Sequence, residues 1–231
     1  MSVVSIGKNF AWMAGLALAF LVQTAAARAE DMTFRLVPIG NPAKCKSRCV
    51  DVIAADGEIT NSTPDEFVAF LMRTFRDPRV RSVVLLNSPG GRVVASMQLG
   101  SALRKVGALA IVARAEPEGA RGSGVVMTSG GCYSACVYAL MGAEKRVVPH
   151  GSKVGIHRMF TYEWERDTDS DVMKQLRVYG SSDLSAQLSD YAASMGVSRD
   201  LIATAERINP DSIHILTPQE ILRWRLASLK F

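Results

Sequence analysis

Two side chains in this sequence have the type and the setting for acyl-transfer chemistry. Ser134 follows the glycine-led run Ser129-Gly130-Gly131-Cys132-Tyr133 and opens an apolar segment that ends at Met141, while His157 closes the short run Val154-Gly155-Ile156. A serine hydroxyl is a poor nucleophile at neutral pH and must lose its proton as it attacks, a task suited to an imidazole, whose ordinary pKa is about 6.5. The tetrahedral intermediate carries an oxyanion, and its natural donors are backbone N–H groups at a Gly-Gly turn and just after the nucleophile. Such a turn lies upstream, in Asn87-Ser88-Pro89-Gly90-Gly91. Taken singly, each feature has a commonplace use: Pro-Gly-Gly as a loop, a serine as a helix N-cap, a histidine as a satisfied core residue. Their ordered combination is what points to chemistry. His150 and His214 read as structural or exposed.

The elements that must position these residues alternate in a βα pattern. Val50 to Ala54 reads as a strand leaving through Asp56-Gly57-Glu58, and Thr63-Pro64-Asp65-Glu66 carries an N-cap hydroxyl, a proline at N1 and a glutamate at N3. Phe67, Phe70, Leu71 and Phe75 then recur at helical spacing until Asp77-Pro78. Val83 to Leu86 is a continuous apolar run, as expected of a parallel strand buried on both faces, and the segment from Val93 to Val106 is helical before a further strand at Leu109 to Ala113. Such units imply right-handed parallel crossovers. Residues 116 to 124 read as a loop, Val125 to Thr128 as a strand, the stretch from Ala135 to Gly142 as a helix, and Val147-Val148 and Val154 to His157 as short strands. The stretch from Asp169 to Met195 reads as mostly helical with a break near Gly180; a helix starts at Ser198, and Thr217-Pro218-Gln219-Glu220 repeats the capping pattern. No internal repeat is present.

Asn-Ser-Pro-Gly-Gly at 87 to 91, the small-residue turn presenting Ser134, and Val-Gly-Ile-His at 154 to 157 resemble, in order and spacing, the proteolytic subunits of Clp peptidases, over residues from about 50 to 228. The resemblance implies a ClpP/crotonase-like α/β fold of repeated ββα units, with a parallel sheet flanked by helices. It further implies that Ser134 attacks an acyl carbon, that His157 takes its proton, and that an aspartate ahead of the last helix, here Asp211, orients the histidine. Asp183, Asp190 and Asp200 compete for that role, although such carboxylates on helices are ordinarily solvated charges. The oxyanion donors fall on Gly91, with Gly90, and on Ala135. Ala135-Cys136 stands where Clp subunits carry methionine and glycine. The family forms rings through a long handle helix, for which the stretch from Asp169 to Met195 is the candidate, although Gly180-Ser181-Ser182 interrupts it; the resemblance leaves a homo-oligomer open.

The first 29 residues have the layout of a secretory signal peptide: Lys8, an apolar run from Phe10 to Val22, and small residues at Ala25-Ala26-Ala27 and Ala29. That run falls short of the roughly 20 residues of a spanning helix. Residues 30–231 are then one exported, periplasmic domain with no membrane attachment after cleavage. Loss of Lys8 and Arg28 lowers the formal charge from +5 to +3, a weak basic balance with no Lys/Arg cluster that would suit nucleic acid. Four cysteines, spaced as Cys45/Cys49 and Cys132/Cys136, are disulfide candidates in such a compartment, with three pairings open. A direct Cys132–Cys136 bond requires Cys132 to lie outside the helix, since Cβ atoms four apart in a helix are about 5 to 6 Å apart and a disulfide wants about 3.8 Å. Zinc is disfavoured by the absence of neighbouring histidines and by the spacing. No metal and no cofactor are expected. The expected function is a serine hydrolase, a peptidase acting on peptides or unstructured segments, because no Walker loop supplies a motor and an exported compartment supplies no ATP-driven unfoldase. The alternatives are a catalytically silent binding or assembly module on the same fold and a crotonase-type acyl-thioester enzyme, which needs pocket carboxylates and coenzyme A.

Overall fold

The computed structural model describes residues 30–40, 45, 49–78, 80–117, 125–166 and 172–230; the signal-peptide region and most of the 116–124 loop lie outside these. The strands are β1 (Thr33–Ile39), β2 (Val50–Asp56), β3 (Val80–Asn87), β4 (Leu109–Pro117), β5 (Val125–Ser129), β6 (Gly131–Tyr133), β7 (Lys145–Val147), β8 (Lys153–Ile156), β9 (Phe160–Arg166), β10 (Met173–Tyr179) and β11 (His214–Ile215). The helices are α1 (Thr63–Thr74), α2 (Val93–Lys105), α3 (Cys136–Gly142), α4 (Ser182–Ser194), α5 (Asp200–Ala205) and α6 (Pro218–Arg223).

Strands β2, β3, β4 and β7 pair in parallel, as the βα units require, and β1 adds antiparallel to β2. The distal half of β4 runs on into an antiparallel pairing with β5, which curls back to meet β1 at Ile39 and Val125. The period-2 alternation of strand side chains divides the interior in two. Ile53, Ala55, Val84, Leu86, Ala110 and Val112 face the helices, in one cluster with Phe67, Leu99, Leu103 and Leu140. Val52, Ala54, Leu85, Ile111 and Ala113 face the other way and are enclosed by the sheet's own curl. A second, three-stranded sheet pairs β6 in parallel with β8 and β8 with β11, and it carries the residues on either side of the Ser134 turn.

α1 begins under Ser62 rather than under a Thr63 cap: the Thr63 hydroxyl accepts from the Thr60 amide at 2.9 Å instead. The capping box before α6 forms as read, with both the Thr217 and Glu220 bonds in place. The reading of the stretch from Asp169 to Met195 as mostly helical is corrected. Residues 173–179 are a strand paired antiparallel with β9, and the helix starts only at Ser182. Leu176 and Val178 alternate with polar neighbours at strand period, and Arg177 stacks over Phe160 at 4.7 Å across the hairpin, so the partner strand overrides helical propensity.

α2 crosses α3 at Gly100 and Gly142. A Cβ on Gly142 would lie 2.2 Å from the Gly100 backbone, and one on Gly100 would lie 2.2 Å from the Tyr191 hydroxyl, which donates to the Tyr138 and Met97 carbonyls. Where α3 ends, Arg146 donates to the carbonyls of Met141, Ala143, Met195 and Leu226, and Arg104 to those of Gly142, Ala143 and Met195. Two guanidiniums thus tie α3, the end of α4 and the C-terminal segment together. Gly142→Ala is expected to lower unfolding free energy by about 1–3 kcal/mol through overpacking against backbone that cannot retreat, read as a lower midpoint in denaturant titration.

Candidate active site

Ser134 sits on the turn between β6 and α3 with φ +54, a left-handed conformation that side chains other than glycine rarely adopt. Three interactions hold it there. Its amide donates to the Gly155 carbonyl at 2.9 Å, its carbonyl accepts from Val137 at 3.1 Å, and a Cys132–Cys136 disulfide closes the turn from β6 to the first residue of α3. Both cysteines are fully buried, and Cys132 lies on the strand, outside the helix. Cys45 and Cys49 form the other bond. The structure therefore selects one of the three pairings.

Four residues of the Asn87–Gly91 motif help to build this turn. The Asn87 carboxamide oxygen accepts from the Gly131 amide at 2.9 Å, and Ser88 exchanges backbone hydrogen bonds with Gly131 and Tyr133 at 2.8 and 3.0 Å, which registers the small sheet against β3. Gly90 and Gly91 both have positive φ. A Cβ on Gly90 would meet the Tyr133 carbonyl at 2.7 Å, the Ser134 Cβ at 2.8 Å and the Ala135 nitrogen at 3.1 Å; a Cβ on Gly91 would meet the Ile59 carbonyl at 2.1 Å. Ile59 fixes the segment from the other side, donating to Gly90 at 2.7 Å and accepting from Arg92 at 2.8 Å. The Gly90 amide is taken by the Ser88 hydroxyl at 3.1 Å, so Gly90 is not free to donate elsewhere. Among the described residues the amides of Gly91 and Ala135 enter none of the hydrogen bonds that fix the turn.

His157 follows β8, half-buried, with its ring 6.0 Å from that of Phe160. Its Nδ1 lies 2.8 Å from the Arg158 carbonyl oxygen. A carbonyl only accepts, so this bond requires the proton on Nδ1 and leaves the Nε2 lone pair open. Ser134 and His157 line the same groove of 720 Å³, together with Glu58, Arg92, Phe160, Tyr162 and Trp164, and its roof is the β9–β10 hairpin. They also border a recess of 10 Å³ floored by Tyr138, Leu201 and Ala205, about the space of a single water. No hydrogen bond joins the Ser134 hydroxyl to the imidazole among the described residues; such catalytic bonds often tighten only when substrate binds.

Asp211 is not brought to His157. Its side chain is 67% exposed, and its carboxylate pairs with Arg177 at 2.7 Å, beneath the hairpin. Asp190 pairs with Arg199, and Asp183 and Asp200 lie exposed on their helices. The group that meets the imidazole is a main-chain carbonyl, which has no signature in a sequence. The residue carrying it is itself tied down: the Arg158 amide donates to Ile208 at 3.1 Å, its guanidinium pairs with Glu206 at 3.5 Å, and it stacks over Tyr179 at 4.5 Å. Burial, and secondarily the Glu206 charge, push the Tyr138 phenol far above its usual range, so the floor of the recess stays neutral. His150 is exposed, and His214 meets Glu220 at 2.9 Å in the α6 cap. Among the described residues no group of three or more His, Cys, Asp or Glu is placed to hold a metal ion, and no helix is long and apolar enough to cross a membrane.

Solved structures with this arrangement of elements include the 1510-N membrane-bound stomatin-specific protease as a serine-to-alanine mutant. It is 18% identical, over 76% of this chain and 76% of that one, with a TM-score of 0.51. The same protease as a lysine-to-alanine mutant with a substrate peptide is 19% identical, over 76% and 72%, with a TM-score of 0.50. The chain has the ClpP-like protease fold. No family model and no curated protein matches the sequence. Within this ClpP-like fold the disulfide across the Ser134 turn closes a loop so short that chain entropy accounts for only about 2 kcal/mol of stabilisation. Its larger effect is on geometry. Replacing Cys132 and Cys136 together by alanine is expected to leave a folded protein whose Ser134 reacts with a fluorophosphonate at least about tenfold more slowly. Unchanged reactivity alongside a collapse in melting temperature would make the bond a purely structural one.

Proposed function

We propose that this protein is an exported serine hydrolase, a peptidase that acts on peptides or unstructured segments. The observation that carries the reading is Ser134 at φ +54 on a strand-to-helix turn, opening into the same groove as His157. The leader-like first 29 residues and two formed disulfides support an oxidising, exported setting such as the periplasm. The neighbour bound to a substrate peptide supports a peptide as the occupant of the groove.

In the proposed reaction the Nε2 lone pair of His157 takes the Ser134 proton as the oxygen attacks the acyl carbon. The oxyanion that forms is met by the Gly91 and Ala135 amides, both left open by the turn's own hydrogen bonding. The imidazolium then returns the proton to the leaving amine, and water repeats the sequence to release the acyl group. Arg158 orients the imidazole through its carbonyl, the task an aspartate performs in a triad. Asp211 instead holds Arg177, and through it the roof of the groove.

Ser134→Ala, His157→Ala and the double mutant are each expected to lose hydrolysis by similar factors, on the order of a thousandfold, without additive loss, because the pair acts as a unit. Asp211→Asn is expected to cost less than about tenfold. A fluorophosphonate probe should label Ser134 and should need His157. A folded wild-type protein that neither labels nor cleaves a broad peptide library would instead be a silent binding module. Mass spectrometry of protein from the exported fraction is expected to give an N-terminus near Glu30 and no free thiol; a full-length reduced chain there would remove the export reading.

A further inference from the structure

The groove does not end at the candidate catalytic residues. A cavity of 280 Å³ shares Gly91, Arg92 and Val93 with it and continues to Val94 and Leu184. A third, of 630 Å³, shares Val94 and Leu184 with the second and lies between α1 and α4, over Met97 and Ser101 of α2. A fourth, of 250 Å³, shares Val68, Ala102 and Lys105 with the third and closes against Leu71, Met72 and Phe75. The four form one trough. Its floor is the outward face of α2, its walls are α1 and α4, and Asn61 flanks the start of α2 while Phe75 flanks the end.

The far end is a cup lined by apolar side chains with Lys105 at its rim, and the side chains it leaves in solvent are large: Met72 is 75% exposed and Phe75 42%. The near end mixes Glu58, Arg92 and Gln175. A chain whose scissile bond lies at Ser134 and which leaves the groove past Gly91 has this trough as its path. α2 has 13 residues, a length of about 20 Å at 1.5 Å per residue. An extended chain covers that in about six residues.

We infer that the trough is an exosite for the substrate polypeptide itself, and that the cup takes a large apolar side chain about seven residues from the scissile bond, on one side of it. The inference rests on the reading of Ser134 as the nucleophile. It narrows the substrate class to flexible chains long enough to span the trough and carrying an apolar anchor. Removing a Leu- or Phe-sized side chain from water in a half-open cup favours the anchored chain by about tenfold.

The test uses quenched fluorescent peptides with one scissile sequence and a Gly/Ser spacer of about three, seven or eleven residues ending in Leu or in Ser, placed on either side. On one side the seven-residue Leu peptide should show roughly tenfold higher kcat/KM than its Ser counterpart, through KM, with less advantage at the other lengths. Met72→Glu and Phe75→Glu should bring that ratio towards one, whereas Leu222→Glu, exposed on α6 and away from the trough, should keep it. Fluorescence anisotropy of the same peptides on Ser134→Ala protein should give the same ratio in Kd without turnover. A ratio of one at every length on both sides, with Ser134 still labelled, overturns the exosite and leaves the hydrolase standing. Equal Kd values overturn it whether or not the protein turns over. A dimer in sedimentation that Met72→Glu dissociates, with no change in the ratio, assigns the cup to a second copy and overturns it as well.

Discussion

The contact on which the site depends is the backbone-to-backbone approach of Gly90 to the turn from Tyr133 to Ala135. It exists only because position 90 has no side chain: a methyl group there would lie within 3.1 Å of three atoms of the turn, one of them the Ala135 nitrogen. The same approach joins the two sheets, since Ser88 of the β3 exit bridges to Cys132 of β6. A left-handed serine costs about 1–3 kcal/mol. The surrounding bonds over-determine it from three directions, through Gly155, through Ser88 and through the disulfide. Chain segments about 40 residues apart are thus held mainly by backbone, with the Asn87 carboxamide, the Ser88 hydroxyl and the disulfide as the side-chain contributions.

A base held by a carbonyl differs physically from one held by a carboxylate. Both fix the tautomer, because both accept from Nδ1–H. Only the carboxylate adds a full negative charge to stabilise the imidazolium that forms as the proton moves. Arg158 supplies a dipole in its place, and its own guanidinium is occupied by Glu206 and Tyr179.

Much of the architecture was legible because it rests on patterns with short physical causes. The apolar run at Val83 to Leu86, the Thr217 capping box and the glycine turns each encode their geometry within a few residues. The distance argument allowed a Cys132–Cys136 bond only with Cys132 outside the helix, where the sequence suggested a turn; Cys132 does lie outside the helix, but on the short strand β6. Other elements have causes distant in sequence. β10 is a strand because β9 pairs with it, and β1, between β2 and β5, was given no element from the sequence although Phe34 and Leu36 alternate with Thr33 and Arg35 at strand period. The Arg158 carbonyl and the Glu206 carboxylate beside it became visible only when the chain folded, since proximity to an imidazole is not a property of either residue's neighbours.

The junction built on Arg104 and Arg146 bears on how the molecule meets acid. The partners described for both guanidiniums are main-chain carbonyls, of Met141, Gly142, Ala143, Met195, Arg225 and Leu226. Burial, then the neighbouring Arg104 charge, lowers the Arg146 pKa, yet its guanidinium stays cationic throughout the acid range. Carbonyls take up no proton there, so these bonds bind the same number of protons at pH 3 as at pH 7 and contribute no slope of stability with pH. The seam that fastens α3 to α4 and to the chain's end is thus indifferent to the acidity of its surroundings.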